Sequence, residues 1–207
     1  MTLLQRVYPA AFAGLVALSG CMGTSTSGTN VLSTEKAISG DSTLSTRSPI
    51  TGRENEVRFE AYVTGYSYWD NTPPGSAAIA HPVIHRSAGG TGTYDDPITL
   101  AVGHRIDGSR RSIDYPVGTR FYLEGLRKYA IVEDLCGDGS RPQDGPCHSG
   151  HQGRPWLDIY VDGAQSPRSA SNACMARLTR FHDVIQNPAP DYPVVAGALT
   201  ESGCQVF

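Results

Sequence analysis

From residue 56 onward, apolar and polar side chains alternate in short runs broken by Gly and Pro, the period of strands with one buried face. Five runs stand out: Val57-Arg58-Phe59-Glu60-Ala61-Tyr62-Val63, Ile98-Thr99-Leu100-Ala101-Val102, Thr119-Arg120-Phe121-Tyr122-Leu123, Tyr129-Ala130-Ile131-Val132-Glu133 and Trp156-Leu157-Asp158-Ile159-Tyr160-Val161. Several short strands separated by turn signals predict a barrel or a sandwich. One segment has helical spacing instead. Ser166 can cap it, Pro167 suits its first turn, and Ala170, Cys174, Leu178, Phe181 and Ile185 recur on one face before Asn187-Pro188. That helix is expected to run to the proline and to lay its apolar face on the barrel.

The chain ahead of the strands has a different character. Residues 1–6 carry one basic side chain, and residues 7–18 form an apolar run that suits a signal-peptide core and is too short for a stable membrane span. It closes on Leu18-Ser19-Gly20-Cys21, which resembles the bacterial lipobox and implies that Cys21 is lipidated and becomes the mature N-terminus. Residues 22–55 are dominated by Ser, Thr and Gly without aromatic side chains, so they cannot bury enough apolar surface to offset the entropy of ordering. They read as a tether with a reach on the order of 30 Å. The expected organisation is a signal peptide over residues 1–20, a lipidated tether over 21–55 and a barrel domain over 56–207. Met22, standing where an aspartate would signal retention, points to a lipid anchor in the outer membrane, with the domain facing the periplasm.

The chain has 207 residues, five cysteines and a formal charge of −3. That charge leaves no basic footprint for nucleic acid, and one domain plus extra sequence fits the length. Setting Cys21 aside leaves Cys136, Cys147, Cys174 and Cys204, an even number in a chain sent to an oxidising compartment. Three pairings are possible. Cys136–Cys147 with Cys174–Cys204 is preferred, because the first closes a local loop and the second fixes the tail to the helix.

Two segments carry a family likeness: Pro116-Val117-Gly118-Thr119-Arg120-Phe121-Tyr122-Leu123-Glu124-Gly125, and Tyr129-Ala130-Ile131-Val132-Glu133-Asp134 followed by Trp156-Leu157-Asp158-Ile159-Tyr160-Val161. They resemble the three-aspartate domain of murein lytic transglycosylases and, more distantly, rare-lipoprotein-A-type barrels. The resemblance implies a mainly β fold, a six-stranded double-psi β-barrel, with the C-terminal helix packed on it. It also implies that Asp158 is the catalytic acid and that Asp134 is its partner at the end of the Glu-Asp strand. The third family aspartate precedes the Pro-x-Gly-Thr turn, where Asp107 and Asp114 both qualify. The spacing from Asp134 to Asp158 is about twice the family's, and the excess is the loop from Cys136 to Gly153, expected to reshape one wall of the cleft.

The residues themselves are consistent with that chemistry. Cleaving a glycosidic bond needs a carboxylic acid whose pKa is raised by burial or by a second carboxylate. Asp158 lies between Leu157 and Ile159, a costly place for a carboxylate unless it faces a cleft or a solvated sheet face. Tyr66-Ser67-Tyr68-Trp69-Asp70 and Trp156 place aromatic faces near candidate carboxylates, as a sugar platform would require. Tyr-Trp-Asp also resembles the general-base segment of family 45 endoglucanases. The alternative is an aromatic core cluster with Asp70 opening a turn. Cys136, Cys147, His148 and His151 share one loop, but their spacing matches no common zinc pattern. The function the resemblance implies is cleavage of the peptidoglycan glycan strand without metal or cofactor, by a monomer that meets the membrane only through its lipid. The alternatives are a hydrolase of the same fold, with Asp70 as base, and a non-catalytic, expansin-like glycan-binding module.

Overall fold

The computed structural model describes residues 53–207; the predicted signal peptide, Cys21 and nearly all of the predicted tether lie outside the described residues. Seven strands form one sheet: β1 (Val57–Tyr66), β2 (Ile98–Asp107), β3 (Arg110–Ile113), β4 (Arg120–Leu123), β5 (Lys128–Cys136), β6 (Trp156–Tyr160) and β7 (Arg180–Gln186). The order is β3-β2-β5-β4-β7-β1-β6, and an additional β2–β6 pairing closes six of these strands into a ring. Among the described strands, β3 alone stays outside, as the return arm of a hairpin on β2. Two pairs are parallel, β1 with β6 and β2 with β5, and β2 runs antiparallel to β6 between them. This is the expected double-psi β-barrel, and closure removes the open edges that a sheet of this size would otherwise present.

The inward face follows from alternation. Ala61, Val63, Leu100, Val102, Phe121, Leu123, Val132, Leu157, Ile159 and Val184 fill the interior, which leaves their strand neighbours facing out. A smaller outer cluster of Tyr122, Tyr129 and Ile185 is covered by Tyr94, Tyr192 and Val194.

The helical segment departs from expectation. A helix, α2 (Arg168–Leu178), follows Pro167 and buries Ser171, Cys174 and Leu178, but it stops eight residues earlier than the spacing predicted. The Thr179 hydroxyl donates to the Met175 carbonyl, and Thr179 itself is extended. From there Arg180–Gln186 is β7, antiparallel to both β1 and β4, and is the sixth barrel strand. Phe181 and Ile185 satisfied a helical period, but His182 and Val184 are buried on the other phase, and short apolar runs of this kind fit either element.

Both expected disulfides are present, Cys136–Cys147 and Cys174–Cys204. The second joins α2 to the tail, whose Leu199 and Val206 pack against the core. The first closes the long connection between β5 and β6, which holds a one-turn helix, α1 (Pro146–Ser149).

Candidate active site

The site is built on one lateral row of residues. Ala101 on β2 lies opposite Asp158 on β6 on one side and opposite Asp134 on β5 on the other, and Asp158 in turn lies opposite Thr64 on β1. The two aspartates therefore flank a single alanine, with backbones about 9–10 Å apart across two strand spacings. Above Ala101 is a cavity of about 250 Å³ whose walls include Tyr66, Asp70, Asn71, Asp134, Cys136 and Asp158.

Asp134 reaches that cavity because β5 is bulged. Leu100 pairs with Val132, and the next residue, Ala101, pairs with Asp134, so Glu133 is extra. In an unbroken ladder Glu133 would stand beside Ala101, and Asp134 would turn into the core beside Val102. The bulge instead places Glu133 and Asp134 on the outer side together.

The two carboxylates are then treated differently. Glu133 is fully buried. It accepts the backbone N–H groups of Val83, Ile84 and His85, the Thr99 hydroxyl, and a bond with His85 Nδ1 at 2.7 Å. Burial alone would raise its pKa, but the bonds from His85 and Ile84 outweigh burial and lower it. His85 also meets Asp96 through Nε2 at 2.9 Å. Burial opposes the imidazolium, yet the Asp96 and Glu133 carboxylates raise the His85 pKa above its ordinary value.

Asp134 accepts the Tyr66 hydroxyl at 2.9 Å on Oδ2 and the Ala80 and Leu135 N–H groups on Oδ1. Burial is the larger effect and raises its pKa despite these donors.

Asp158 has less support. Its Oδ1 accepts the Thr64 hydroxyl at 2.6 Å, and Thr64 Oγ1 accepts the Trp156 indole N–H at 2.8 Å. Its Oδ2 has only the Cys136 sulfur near it, 3.8 Å away and already bonded to Cys147. Burial, with added repulsion from Asp70 and Asp134 against the Thr64 bond, pushes the Asp158 pKa up to about 7. With the Thr64 hydrogen directed at Oδ1, the carboxylic proton belongs on Oδ2, the oxygen beside the sulfur of Cys136, itself a wall residue of the cavity.

The remaining predicted residues divide. Asp70 lines the cavity and at the same time accepts the Ser67 N–H and hydroxyl, closing its turn. Tyr68 and Trp69 do not line it: they pair edge to face, and the Trp69 indole N–H is spent on the Gly163 carbonyl. Trp156 contributes through Thr64, and its ring packs against Tyr62 and His151. Of the two candidates for a third aspartate, Asp107 is exposed at the β2–β3 hairpin beside Arg105, and Asp114 pairs with His148. Neither lines the cavity, and Asp70 supplies the third carboxylate instead. Thr64 and Ala101 were not singled out from sequence; only the strand register marks them.

Residues 58–205 match the family described as DDB_G0273701 N-terminal domain. An uncharacterized protein of Dictyostelium discoideum, DDB_G0273701/DDB_G0273221, is 32% identical over 124 residues, which are 60% of this chain and 48% of that protein. The chain thus spans about half the length of that curated relative. No solved structure matches.

Proposed function

The chain belongs to the DDB_G0273701 N-terminal domain family, and from the chemistry of its aspartate cavity we propose that it cleaves the glycan strand of peptidoglycan as a lytic-transglycosylase-like enzyme. The observation that carries this reading is Asp158, whose pKa burial pushes up to about 7 and which lines one cavity with Asp134 and Asp70. A group so poised holds a proton at neutral pH and can still release it, which general acid catalysis requires.

In this mechanism Asp158 Oδ2 gives its proton to the glycosidic oxygen as the bond to the anomeric carbon breaks. The positive charge that develops on the sugar is stabilised by the fixed carboxylate of Asp134. Asp158, now ionised, takes the proton of the muramyl 6-hydroxyl as that oxygen closes on the anomeric carbon. The product is a 1,6-anhydro sugar, the acid is regenerated, and no metal or cofactor enters the balance. The polymer is the partner on this reading, and lipid on Cys21 holds the domain on the periplasmic side of the outer membrane.

The test is digestion of purified sacculi with mass analysis of the products. Anhydro-muropeptides that disappear in Asp158→Asn are the expected result. Reducing ends would replace the transglycosylase by a hydrolase with Asp70 as base. Sacculus binding without any soluble product would replace the enzyme by a binding module.

A further inference from the structure

We infer that a second cavity, on the far side of the Cys136–Cys147 disulfide, is a subsite for an uncharged, hydroxyl-rich pyranose unit adjoining the bond to be cleaved. This rests on the glycan-cleaving reading above and specifies where the neighbouring sugar sits. The cavity is about 410 Å³, larger than the one holding the aspartates, and its walls include Asp114, Tyr115, His148, Arg154 and Trp156.

Three observations support it. The first is continuity. Cys136 lines the aspartate cavity and Cys147 lines this one, so one disulfide is the partition between them. Trp156 lies two residues before Asp158 on the same side of β6, about 6–7 Å along the strand.

The second is the wall chemistry. Tyr115 and Trp156 offer apolar ring surface, while His148, Arg154 and Asp114 offer donors and an acceptor around it. That mixture matches a pyranose, whose ring C–H groups are apolar and whose rim is hydroxyls.

The third observation selects an uncharged sugar. Arg154 Nε is held by Glu60 at 3.0 Å, and His148 Nδ1 by Asp114 at 2.6 Å. Both side chains already face a carboxylate, so no unpaired positive charge remains to favour an acidic substituent. Arg154 keeps its terminal N–H groups, and His148 its Nε2, for neutral oxygens. A sugar here also touches Trp156, the donor to Thr64 and hence one bond removed from the acid. Occupancy of the second cavity therefore helps hold the Asp158 proton on the side where the bond lies. Trp156 and Thr64 are positioning residues in this scheme.

The experiment uses the full chain carrying Asp158→Asn, so that binding is read without turnover. It is titrated with the tetramer of N-acetylglucosamine by calorimetry and by tryptophan emission. Saturable binding is expected, weakened about tenfold or more by Arg154→Ala and by His148→Ala. The emission change should be kept in Trp69→Phe and lost in Trp156→Phe. Binding that both Ala variants leave unchanged, or no binding at all, overturns the subsite; Arg154 is exposed and His148 partly exposed, and thermal melting checks that each variant is folded. The two readings fail separately. Sacculus cleavage by the wild type with unchanged kcat/KM in both Ala variants removes the subsite and keeps the enzyme. Tetramer binding at this cavity without product from the wild type removes the enzyme and keeps the site.

Discussion

Asp158→Asn is expected to make the protein more stable at alkaline pH while destroying its activity, and the size of the gain follows from the site. The carboxyl has an ordinary value of 3.8 and is raised to about 7 in the fold. A difference of about three pH units is worth ~4 kcal/mol of differential interaction between its charged and neutral forms. Its sign is fixed by which state holds the proton. Below pH 4 both the folded and the unfolded chain carry it, and no stability is lost. Between pH 4 and 7 the unfolded chain has released the proton and the folded chain has not, so stability falls as pH rises. Above 7 the folded chain carries a charge in a cavity that solvates it poorly, and the full cost persists. Asn keeps the shape and still accepts the Thr64 hydroxyl, but it does not titrate. Because Asp158 is half-buried rather than sealed, solvent will trim the figure to roughly 2–3 kcal/mol. Urea unfolding of both proteins at pH 4.5, 6 and 8 measures it: the stability difference should grow steadily in favour of Asn. Parallel pH curves for the two proteins would refute the reasoning, and with it the assignment of Asp158 as an acid protonated at neutral pH. The wild-type rate should decline in the same range, as pH rises past about 7.

Four further outcomes are expected. Ala101→Leu fills the floor between the two aspartates, so it should abolish product formation while costing about 1–3 kcal/mol of stability, read by activity and thermal melting together. His85→Ala removes the imidazole partner of the buried Glu133 carboxylate, which keeps its backbone and Thr99 donors, and should destabilise by about 1.5–3 kcal/mol near pH 6; because His85 titrates above its ordinary 6.5 in the fold, the deficit should shrink as pH rises through that raised value. Replacing Cys174 and Cys204 with Ser opens a link spanning 30 residues and should cost roughly 3–4 kcal/mol, whereas removing Cys136–Cys147, spanning 11, costs about 3 at most but should depress activity more than the melting temperature. Cys21→Ala should abolish incorporation of labelled palmitate and release the protein from membranes on fractionation.

Much of the barrel was legible because alternation is a local signal. The strand runs at Val57, Ile98, Thr119, Tyr129 and Trp156 each became a strand; β1 and β6 bury mainly one phase, whereas β2, β4 and β5 are covered on both faces. β7 was not legible as a strand, since Leu178, Phe181 and Ile185 fit a helical period and only tertiary pairing with β1 and β4 decides between the two. The disulfides were readable because one closes a local loop and the other fixes the tail to the helix. Within the site, Asp134 and Asp158 were marked by motif, but Ala101 was invisible: its importance is its small size between two carboxylates, a property of register that no local window contains. The Trp69 half of the aromatic platform was misplaced for a related reason. Trp69 is near Asp70 in sequence, yet its indole turns to Gly163, and composition does not say where a ring points.

The extra residue in β5 has a consequence for how this scaffold can change over time. Two adjacent acidic residues share one face, and each is answerable to a different selective demand. Glu133 anchors the segment that passes over the sheet, and Asp134 serves the cavity, with a single peptide plane between them. Position 134 can therefore drift to another side chain, and the barrel to another chemistry, while its neighbour keeps the covering segment moored. A sheet without that insertion would have to ask one side chain to do both, and every change of specificity would also be a gamble on folding.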